Sequence, residues 1–353
     1  MQKYRPRTIR RLVRTIALAT ALLAAFTPAS VMADQSAVIL MYHRFGEDTY
    51  PSTNIRLEQF DAHLEQLRRG GYHVMPLHEV IRRIRTRTDL PERSVAITVD
   101  DAYASVMTEA WPRLKAAGMP MTLFVAADAV DSGSSNYMRW DDIRRLRDEG
   151  VTIANHGAGH LHMLSVPTAD AIADIQRGNR RLEEEVGAPA KLFAYPYGEY
   201  DETLAAEIAT LGYEAAFAQY SAPVGFDMSL FSLPRFALNE RYGTSDRFRL
   251  ISQTLPLPVS DQVPRNPVLD VKGNPPAIGF TVEVEAGNLA GLACYPSHLG
   301  RAADLVQLGR RVEVRFDRPF PAGRNRLNCT LRSPDGRWYW YGKMFYVPGG
   351  ILD

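Results

Sequence analysis

The sequence lacks most of the features that would assign it to a specialised class of protein. It has only 2 cysteines among 353 residues, and 41 lysines and arginines nearly balance 40 aspartates and glutamates. A formal net charge of +1 provides no strong field for nucleic acid or another polyanion, so binding to nucleic acid is not expected. What remains is an ordinary globular composition, 46% apolar and 23% charged.

The first residues have the pattern of a signal peptide. Six lysines and arginines between positions 3 and 14 precede an apolar run at 16–26, and small residues at 31–33 form a cleavage site. This run is shorter than the roughly 20 residues of a stable membrane anchor. We therefore predict a signal peptide at 1–33, export to the periplasm or medium, and no stable membrane span after its removal. A disordered basic leader is the alternative.

The two cysteines, Cys294 and Cys329, both lie near the C-terminus. In an oxidising compartment, two cysteines within one small domain predict a disulfide bond, and two buried free thiols are the alternative. Two ligands are too few for a metal site built from cysteine alone.

Between 34 and 254, short apolar runs alternate with helical repeats. The predicted strands lie at 37–42, 94–99, 121–125, 151–154, 191–195 and 213–218. Alternating strands and helices predict an α/β fold with a parallel sheet, either open or closed into a barrel. Active sites in such folds lie at the carboxyl ends of the strands.

The pattern changes near residue 255. The range 255–276 is rich in proline and is predicted to be a linker, and 277–353 alternates like half-buried strands. This region predicts a small all-β, sandwich-like domain. Its aromatic cluster near 338–346 favours core or interdomain contacts over sugar stacking.

Three polar motifs follow predicted strands. Asp100 and Asp101 are adjacent carboxylates that need a cation or hydrogen-bond donors, although a solvated helix start would also explain them. His156 and His160 are four residues apart, which on a helical turn would direct both imidazoles to one metal. His162 more simply packs in the turn.

The third motif, Pro196–Gly198, ends a later strand. A rigid proline followed by glycine can direct a backbone N–H into a site, as an oxyanion hole requires, and a plain turn is the alternative.

Together these motifs resemble the NodB-homology domain of polysaccharide deacetylases, carbohydrate esterase family 4. The family motif TFDDG corresponds to 98–102, the H-[ST]-x-x-H motif to 156–160, and the motif ending PYG to Pro196–Gly198. The resemblance extends over about 38–238 and is greatest to the subgroup that de-N-acetylates exported poly-β-1,6-N-acetylglucosamine. It implies a distorted (β/α) barrel.

The resemblance also implies a reaction and a role for each residue. Asp101, His156 and His160 would hold a divalent metal, with zinc (Zn²⁺) favoured over Co²⁺, Ni²⁺ or Fe²⁺. The metal would polarise the acetyl carbonyl of an N-acetylated polysaccharide and acidify a water, and Asp100 would be the general base. The Tyr197 backbone N–H would help to hold the oxyanion.

Three departures from the family pattern bear on the roles of site residues. Ala102 replaces the glycine of the first motif, and Ala194 replaces the arginine that steadies the base in relatives. Arg235 is expected to supply that cation, unless it is an exposed or packing residue. The late L-x-H motif has no match, so His43 is expected to be the general acid, unless it only shapes the cleft.

Two further functions stay open at this stage. One is an esterase on the same fold that removes O-acetyl groups from a polysaccharide such as xylan. The other is a non-catalytic carbohydrate-binding protein.

Overall fold

The computed structural model describes residues 1–2 and 33–349. The signal peptide predicted at 1–33 lies almost entirely outside the described residues and stays a prediction. The chain from Ala33 onward clusters as one compact unit. Within the described part of the chain, no helix is both long and apolar enough to cross a bilayer.

The first part of this unit contains thirteen strands and eight α-helices. The strands are β1 Ala33–Asp34, β2 Ser36–Tyr42, β3 Arg44–Phe45, β4 Asn54–Ile55, β5 His73–Val74, β6 Leu90–Pro91, β7 Ser94–Asp100, β8 Thr122–Val125, β9 Thr152–Asn155, β10 Ala190–Ala194, β11 Ala215–Phe217, β12 Val224–Gly225 and β13 Phe236–Ala237. The helices are α1 Leu57–Arg69, α2 Leu77–Thr86, α3 Trp111–Ala116, α4 Ala127–Asp131, α5 Trp140–Asp148, α6 Thr168–Val186, α7 Glu202–Thr210 and α8 Ser245–Ile251.

The main sheet curls almost into a closed barrel. Its strands run in the order β11-β10-β9-β8-β7-β2, and all of these neighbours are parallel. The remaining side is bridged by the segment 233–237, because Leu233 pairs with Phe217 of β11 and Phe236 pairs with Leu40 of β2. The predicted distorted (β/α) barrel is therefore confirmed, and the carboxyl ends of its strands share one rim.

Both faces of the sheet are buried, which explains the nearly continuous apolar runs of the strands. On β2, Val38, Leu40 and Tyr42 belong to the cluster formed with the helices α1, α3, α5, α6 and α8. The intervening Ala37 and Ile39 pack in a second cluster that includes the apolar face of α2. The two-residue alternation of the strand thus divides its side chains between two cores.

The C-terminal part forms two four-stranded sheets. Their strands are β14 Leu255–Pro256, β15 Val259–Val263, β16 Ile278–Val282, β17 Ala293–Pro296, β18 Asp304–Leu308, β19 Arg311–Arg315, β20 Gly323–Arg332 and β21 Trp338–Val347. One sheet has the order β14-β21-β20-β17 and the other β15-β16-β19-β18. Two of these edge strands lie inside the range predicted as a linker, because proline is tolerated at a sheet edge. We propose that the β domain begins near Leu255 and that the deacetylase-like domain occupies 34–254.

The predicted disulfide is present between Cys294 and Cys329, which face each other on β17 and β20. Two aromatic residues of β21 make the core and interdomain contacts that the sequence analysis favours over sugar stacking. Tyr341 lies 4.9 Å from Phe280 between ring centroids in the β-domain core. Trp340 instead packs edge-on against Phe236 of the barrel at 5.3 Å.

The β domain also packs backbone to backbone against the barrel at Gly342. A Cβ atom at this position would lie 2.0 Å from the Ser221 carbonyl oxygen, so only glycine allows the approach. The β21 residue Met344 joins a barrel cluster with Tyr195 and Tyr200. This packing holds β20 and β21 close to the rim.

A buried histidine supports the end of β2. His63 of α1 is fully buried, with Nδ1 3.0 Å from the Tyr42 hydroxyl and Nε2 2.8 Å from the Gly243 carbonyl oxygen. The carbonyl oxygen can only accept a hydrogen bond, so Nε2 carries the proton and Nδ1 accepts from Tyr42. His63 also stacks on Phe248 at 3.9 Å between ring centroids. Burial lowers the pKa of His63 to about 4.

This lowered pKa predicts a pH-dependent stability. In the unfolded chain His63 becomes protonated below about pH 6.5. In the folded chain it becomes protonated only when the pH falls to about 4. His63 should therefore contribute stability above pH 6.5, and about 3 kcal/mol of it should be lost as the pH falls to 4. We expect the free energy of unfolding of the wild type, relative to His63→Gln, to decline over that interval. Urea titrations of the two chelator-treated proteins at several pH values measure this difference. If the unfolding free energies of both proteins change equally with pH, the lowered pKa of His63 is contradicted.

Candidate active site at the carboxyl rim of the barrel

Three potential metal ligands meet at the rim. Asp101 follows β7, and His156 and His160 lie in the loop after β9. The Asp101 Oδ1 atom is 3.3 Å from His156 Nε2 and 3.2 Å from His160 Nε2. The three ligand atoms all lie within 4.8 Å of one another, and no second such group of histidine, cysteine or acidic side chains is found in the described residues.

The donor atoms fit a divalent cation. Asp101 Oδ1 and His156 Nε2 are buried, and neither has a hydrogen-bond partner among the described residues. His156 Nδ1 lies 2.7 Å from the Ala194 carbonyl oxygen, so Nδ1 donates and Nε2 keeps its lone pair. A buried acceptor pair without donors is costly, and a metal ion would satisfy both atoms at once.

The charges of the cluster keep the carboxylate ionised. Burial alone would raise the pKa of Asp101, but the His156 and His160 imidazoles lower that pKa well below its usual range. Burial opposes protonation of His156, but Asp100 and Asp101 beside it raise the pKa of that imidazole. Metal binding at this group would therefore compete with protonation of His156 as the pH falls.

The loop that carries both histidines is not the helical turn that their spacing suggested. The Asp174 carboxylate of α6 accepts hydrogen bonds from the backbone N–H groups of Ala158 at 3.0 Å and Gly159 at 2.9 Å. The Asn155 side chain accepts from the Gly157 N–H at 2.8 Å. These bonds hold an irregular loop in which the two imidazoles converge.

Asp174 supports the loop that carries the two histidines, and the sequence motifs did not indicate this role. It is 5% exposed and lies on the buried face of α6 between Ala171 and Gly178. The available signal was an acidic residue at an apolar position of a helical repeat, since buried carboxylates need donors.

Asp100, at the end of β7, is paired with Arg235 of the bridging segment. The two guanidinium nitrogens of Arg235 donate to the two carboxylate oxygens of Asp100 at 2.7 and 2.8 Å, and both side chains are fully buried. Burial would raise the pKa of Asp100, but the charges of Arg235, His156 and His43 together outweigh burial and the pKa is lowered. Arg235 also donates to the Ala218 carbonyl oxygen at 3.2 Å, which fixes its orientation.

His43 lies on the other side of Asp100. It follows β2, and its Nε2 atom is 3.9 Å from Asp100 Oδ2. Burial lowers the pKa of His43, although Asp101 and Asp100 act in the opposite direction. The structure thus brings His43, Asp100 and Arg235 together beside the potential metal ligands.

Tyr197 lies at the next point of the rim, in the turn Pro196–Gly198. Its ring is 4.5 Å from the His160 ring, and it stacks on His162 at 3.7 Å between centroids. The Nδ1 atom of His162 is 3.1 Å from Glu199, so His162 packs in the turn and does not join the metal group.

Several rim residues have left-handed backbone conformations. The φ angle is 75° at Asp101, 58° at Ala102, 50° at His160 and 57° at Tyr197. Ala102 therefore keeps the turn expected of the glycine that it replaces in the family motif. Such conformations cost about 1–3 kcal/mol each in non-glycine residues and are concentrated at functional sites.

The Asp174 contacts lead to a prediction about metal affinity. Replacement Asp174→Ala removes both acceptors that hold the histidine loop, so we expect affinity for divalent metal to fall about 10- to 100-fold. Chelator competition measures the affinity. Asp170→Ala is the matched control, because Asp170 is exposed in the first turn of the same helix. Equal affinities of the two variants would show that Asp174 does not support the site.

Residues 87–216 match the family model described as polysaccharide deacetylase. The matched range contains the Asp100 and Asp101 pair and the other two motifs, whereas His43 and Arg235 lie outside it. The chain is 22% identical over 197 residues to YxkH of Bacillus subtilis (strain 168), named as a candidate polysaccharide deacetylase, covering 56% of this chain and 69% of that protein. It is 21% identical over 235 residues to the poly-β-1,6-N-acetyl-D-glucosamine N-deacetylase of Staphylococcus aureus (strain MSSA476), covering 59% and 80%.

Two solved structures share the fold of this chain. Streptococcus pyogenes deacetylase PplD aligns with a TM-score of 0.57 at 20% identity, over 62% of this chain and 98% of that one. IcaB from Ammonifex degensii aligns with a TM-score of 0.54 at 24% identity, over 62% and 98%. Residues 87–216 therefore match the polysaccharide deacetylase family, and the barrel that contains them has the fold of PplD and IcaB.

Proposed function

We propose that the protein is a metal-dependent hydrolase that removes N-acetyl groups from an extracytoplasmic polymer of N-acetylglucosamine. The observation that carries this proposal is the convergence of Asp101, His156 and His160 beside Asp100 with its buried arginine partner. The Staphylococcus aureus relative named above makes poly-β-1,6-N-acetylglucosamine the first polymer to test.

A divalent cation, most simply Zn²⁺, would be held by Asp101 Oδ1, His156 Nε2 and His160 Nε2. When bound, it supplies a Lewis acid for the acetyl carbonyl and lowers the pKa of a water molecule. Three protein ligands leave room for water and substrate, as in other catalytic sites with an aspartate and histidines.

Asp100 accepts the proton of the attacking water in this proposal. Its ionised form is maintained by Arg235, while each carboxylate oxygen keeps a second lone pair for that proton. The cation also fixes the carboxylate in one orientation, which limits the reorganisation needed for proton transfer.

His43 donates a proton to the departing amine. Burial lowers its pKa, so a protonated His43 gives up its proton readily. His43 Nε2 lies 3.9 Å from Asp100 Oδ2, too far for a direct hydrogen bond, so the proton gained by the carboxylate returns to the imidazole through a water molecule after product release. The Tyr197 backbone N–H would hold the oxyanion that forms at the acetyl carbonyl oxygen.

Export agrees with this substrate. The cationic and apolar leader at 1–33 has the pattern of a signal peptide. The Cys294–Cys329 disulfide is typical of an oxidising compartment. We therefore propose that the protein acts in the periplasm or outside the cell.

The central test removes one ligand. Asp101→Asn keeps the shape of the side chain but loses its charge, so we expect metal affinity and acetate release each to fall at least about 100-fold. The assay measures acetate and free amine from N-acetylated β-1,6-glucosamine oligomers, with O-acetylated xylan as a second substrate. Asp246→Asn, at an exposed carboxylate, is the control. Wild-type activity in Asp101→Asn would refute the mechanism, and acetate from xylan alone would identify an esterase.

The Asp100–Arg235 pair predicts a pH effect. Activity requires ionised Asp100 and is lost as the pH falls through its pKa, which Arg235 lowers. Arg235→Lys retains a charge but loses the bidentate hydrogen bond to Asp100, so the pKa of Asp100 should rise. The acid limb of the kcat/KM profile should then move to higher pH. The control is Arg241→Lys, because Arg241 is exposed and its guanidinium carbon lies 5.4 Å from the centroid of the Tyr242 ring, away from Asp100. An unmoved acid limb in folded Arg235→Lys would exclude Asp100 as the group that titrates.

A further inference from the structure

An arginine of the C-terminal β domain reaches the active-site rim. Arg324 lies near the start of β20, and one of its guanidinium nitrogens donates to the Tyr197 carbonyl oxygen at 3.3 Å. Its guanidinium carbon lies 5.3 Å from the centroid of the Tyr197 ring. The β domain therefore contacts both the backbone and the side chain of Tyr197, whose N–H is proposed above to hold the oxyanion.

The same arginine approaches a buried carboxylate behind the turn. Glu199 is 1% exposed and lies 3.6 Å from Arg324 Nε. Its other neighbour is His162, whose Nδ1 atom is 3.1 Å away. A buried carboxylate is stable only with such partners, and here one partner comes from the barrel and the other from the β domain.

These contacts lead to the metal ligands through packed rings. The His162 and Tyr197 rings are stacked nearly parallel, at an angle of 8°, with centroids 3.7 Å apart. The opposite neighbour of Tyr197 is the His160 ring at 4.5 Å. A displacement of Tyr197 would therefore move both the backbone N–H and the ring against which His160 rests.

We propose that Arg324 is a positioning residue of the deacetylase site, through which the C-terminal β domain completes the rim. The inference rests on the proposed function, because it assigns the Tyr197 N–H and His160 to that reaction. Tyr197 has a left-handed backbone, with φ of 57°, and such a conformation persists only when its surroundings hold it. Arg324 supplies that hold from outside the barrel, by its bond to the Tyr197 carbonyl oxygen and its charge beside Glu199.

Two contacts between the β domain and the barrel hold the strand that carries Arg324. Gly342 of β21 packs directly against the Ser221 backbone, as described above. Arg326, two residues along β20, donates to the Gln219 carbonyl oxygen at 3.2 Å. Both contacts fix the backbone of β20 against the barrel within a few residues of Arg324, so the arginine side chain extends to the rim from a fixed strand.

The test compares Arg324→Ala and Arg324→Lys with Arg332→Ala in the full-length mature protein. Arg332 lies on the same strand, but its contacts are the Gly336 carbonyl oxygen and the Trp338 ring, both within the β domain. We expect Arg324→Ala to lower kcat about 10- to 100-fold with KM nearly unchanged, because an orienting contact outside the ligand set is lost. Arg324→Lys should recover part of kcat, and Arg332→Ala should retain wild-type kcat.

A second readout does not depend on activity. Visible absorption of the Co²⁺-loaded protein reports the geometry of the ligands, and we expect a changed spectrum in Arg324→Ala but not in Arg332→Ala. Wild-type kcat and spectrum in Arg324→Ala would overturn the inference, as would an equal loss of kcat in Arg332→Ala. If the wild type releases no acetate, the proposed function fails and the Co²⁺ spectra alone decide the role of Arg324. If Arg324→Ala does not fold, Arg324→Lys decides, with wild-type values overturning the inference.

Discussion

The buried ion pair between Asp100 and Arg235 connects the closure of the barrel with the chemistry at its rim. Arg235 belongs to the short segment 233–237 that bridges β11 and β2, and its two-pronged contact joins that segment to the end of β7. Removing two charges from water is costly, and such a pair stabilises a fold less than apolar packing would. We interpret its presence as functional, because the same contact holds an ionised carboxylate next to the potential metal ligands.

The two adjacent aspartates at the end of β7 have different charged partners. Asp100 faces a permanent cation, which lowers its pKa, whereas Asp101 faces two imidazoles that are neutral when they bind a metal. The repulsion between the carboxylates is thus compensated on opposite sides. The left-handed backbone at Asp101 turns the second side chain away from the first and toward His156.

The sequence predicted the elements whose patterns are local. The helix α6, Thr168–Val186, is such an element, because its apolar repeat is regular and glycine follows it. The helix α2 carries a signal of the same local kind, because its four buried apolar residues are spaced i, i+3, i+4 and i+7. The strands β14 and β15 were assigned to a linker because proline content was weighed above pairing, which depends on partners roughly 20 to 85 residues away.

The candidate site shows the same division between local and long-range information. Motif residues were recognisable because they follow strands, and parallel strands bring their carboxyl ends together. Their supports are distant in sequence: Asp174 holds the histidine loop, Arg235 holds Asp100, and Arg324 contacts Tyr197. Rim loops have no hydrogen-bonded ladder of their own, so charged groups from neighbouring elements must fix their backbones. In this chain the last of those groups comes from the β domain, which connects a second folded region with the geometry of the first.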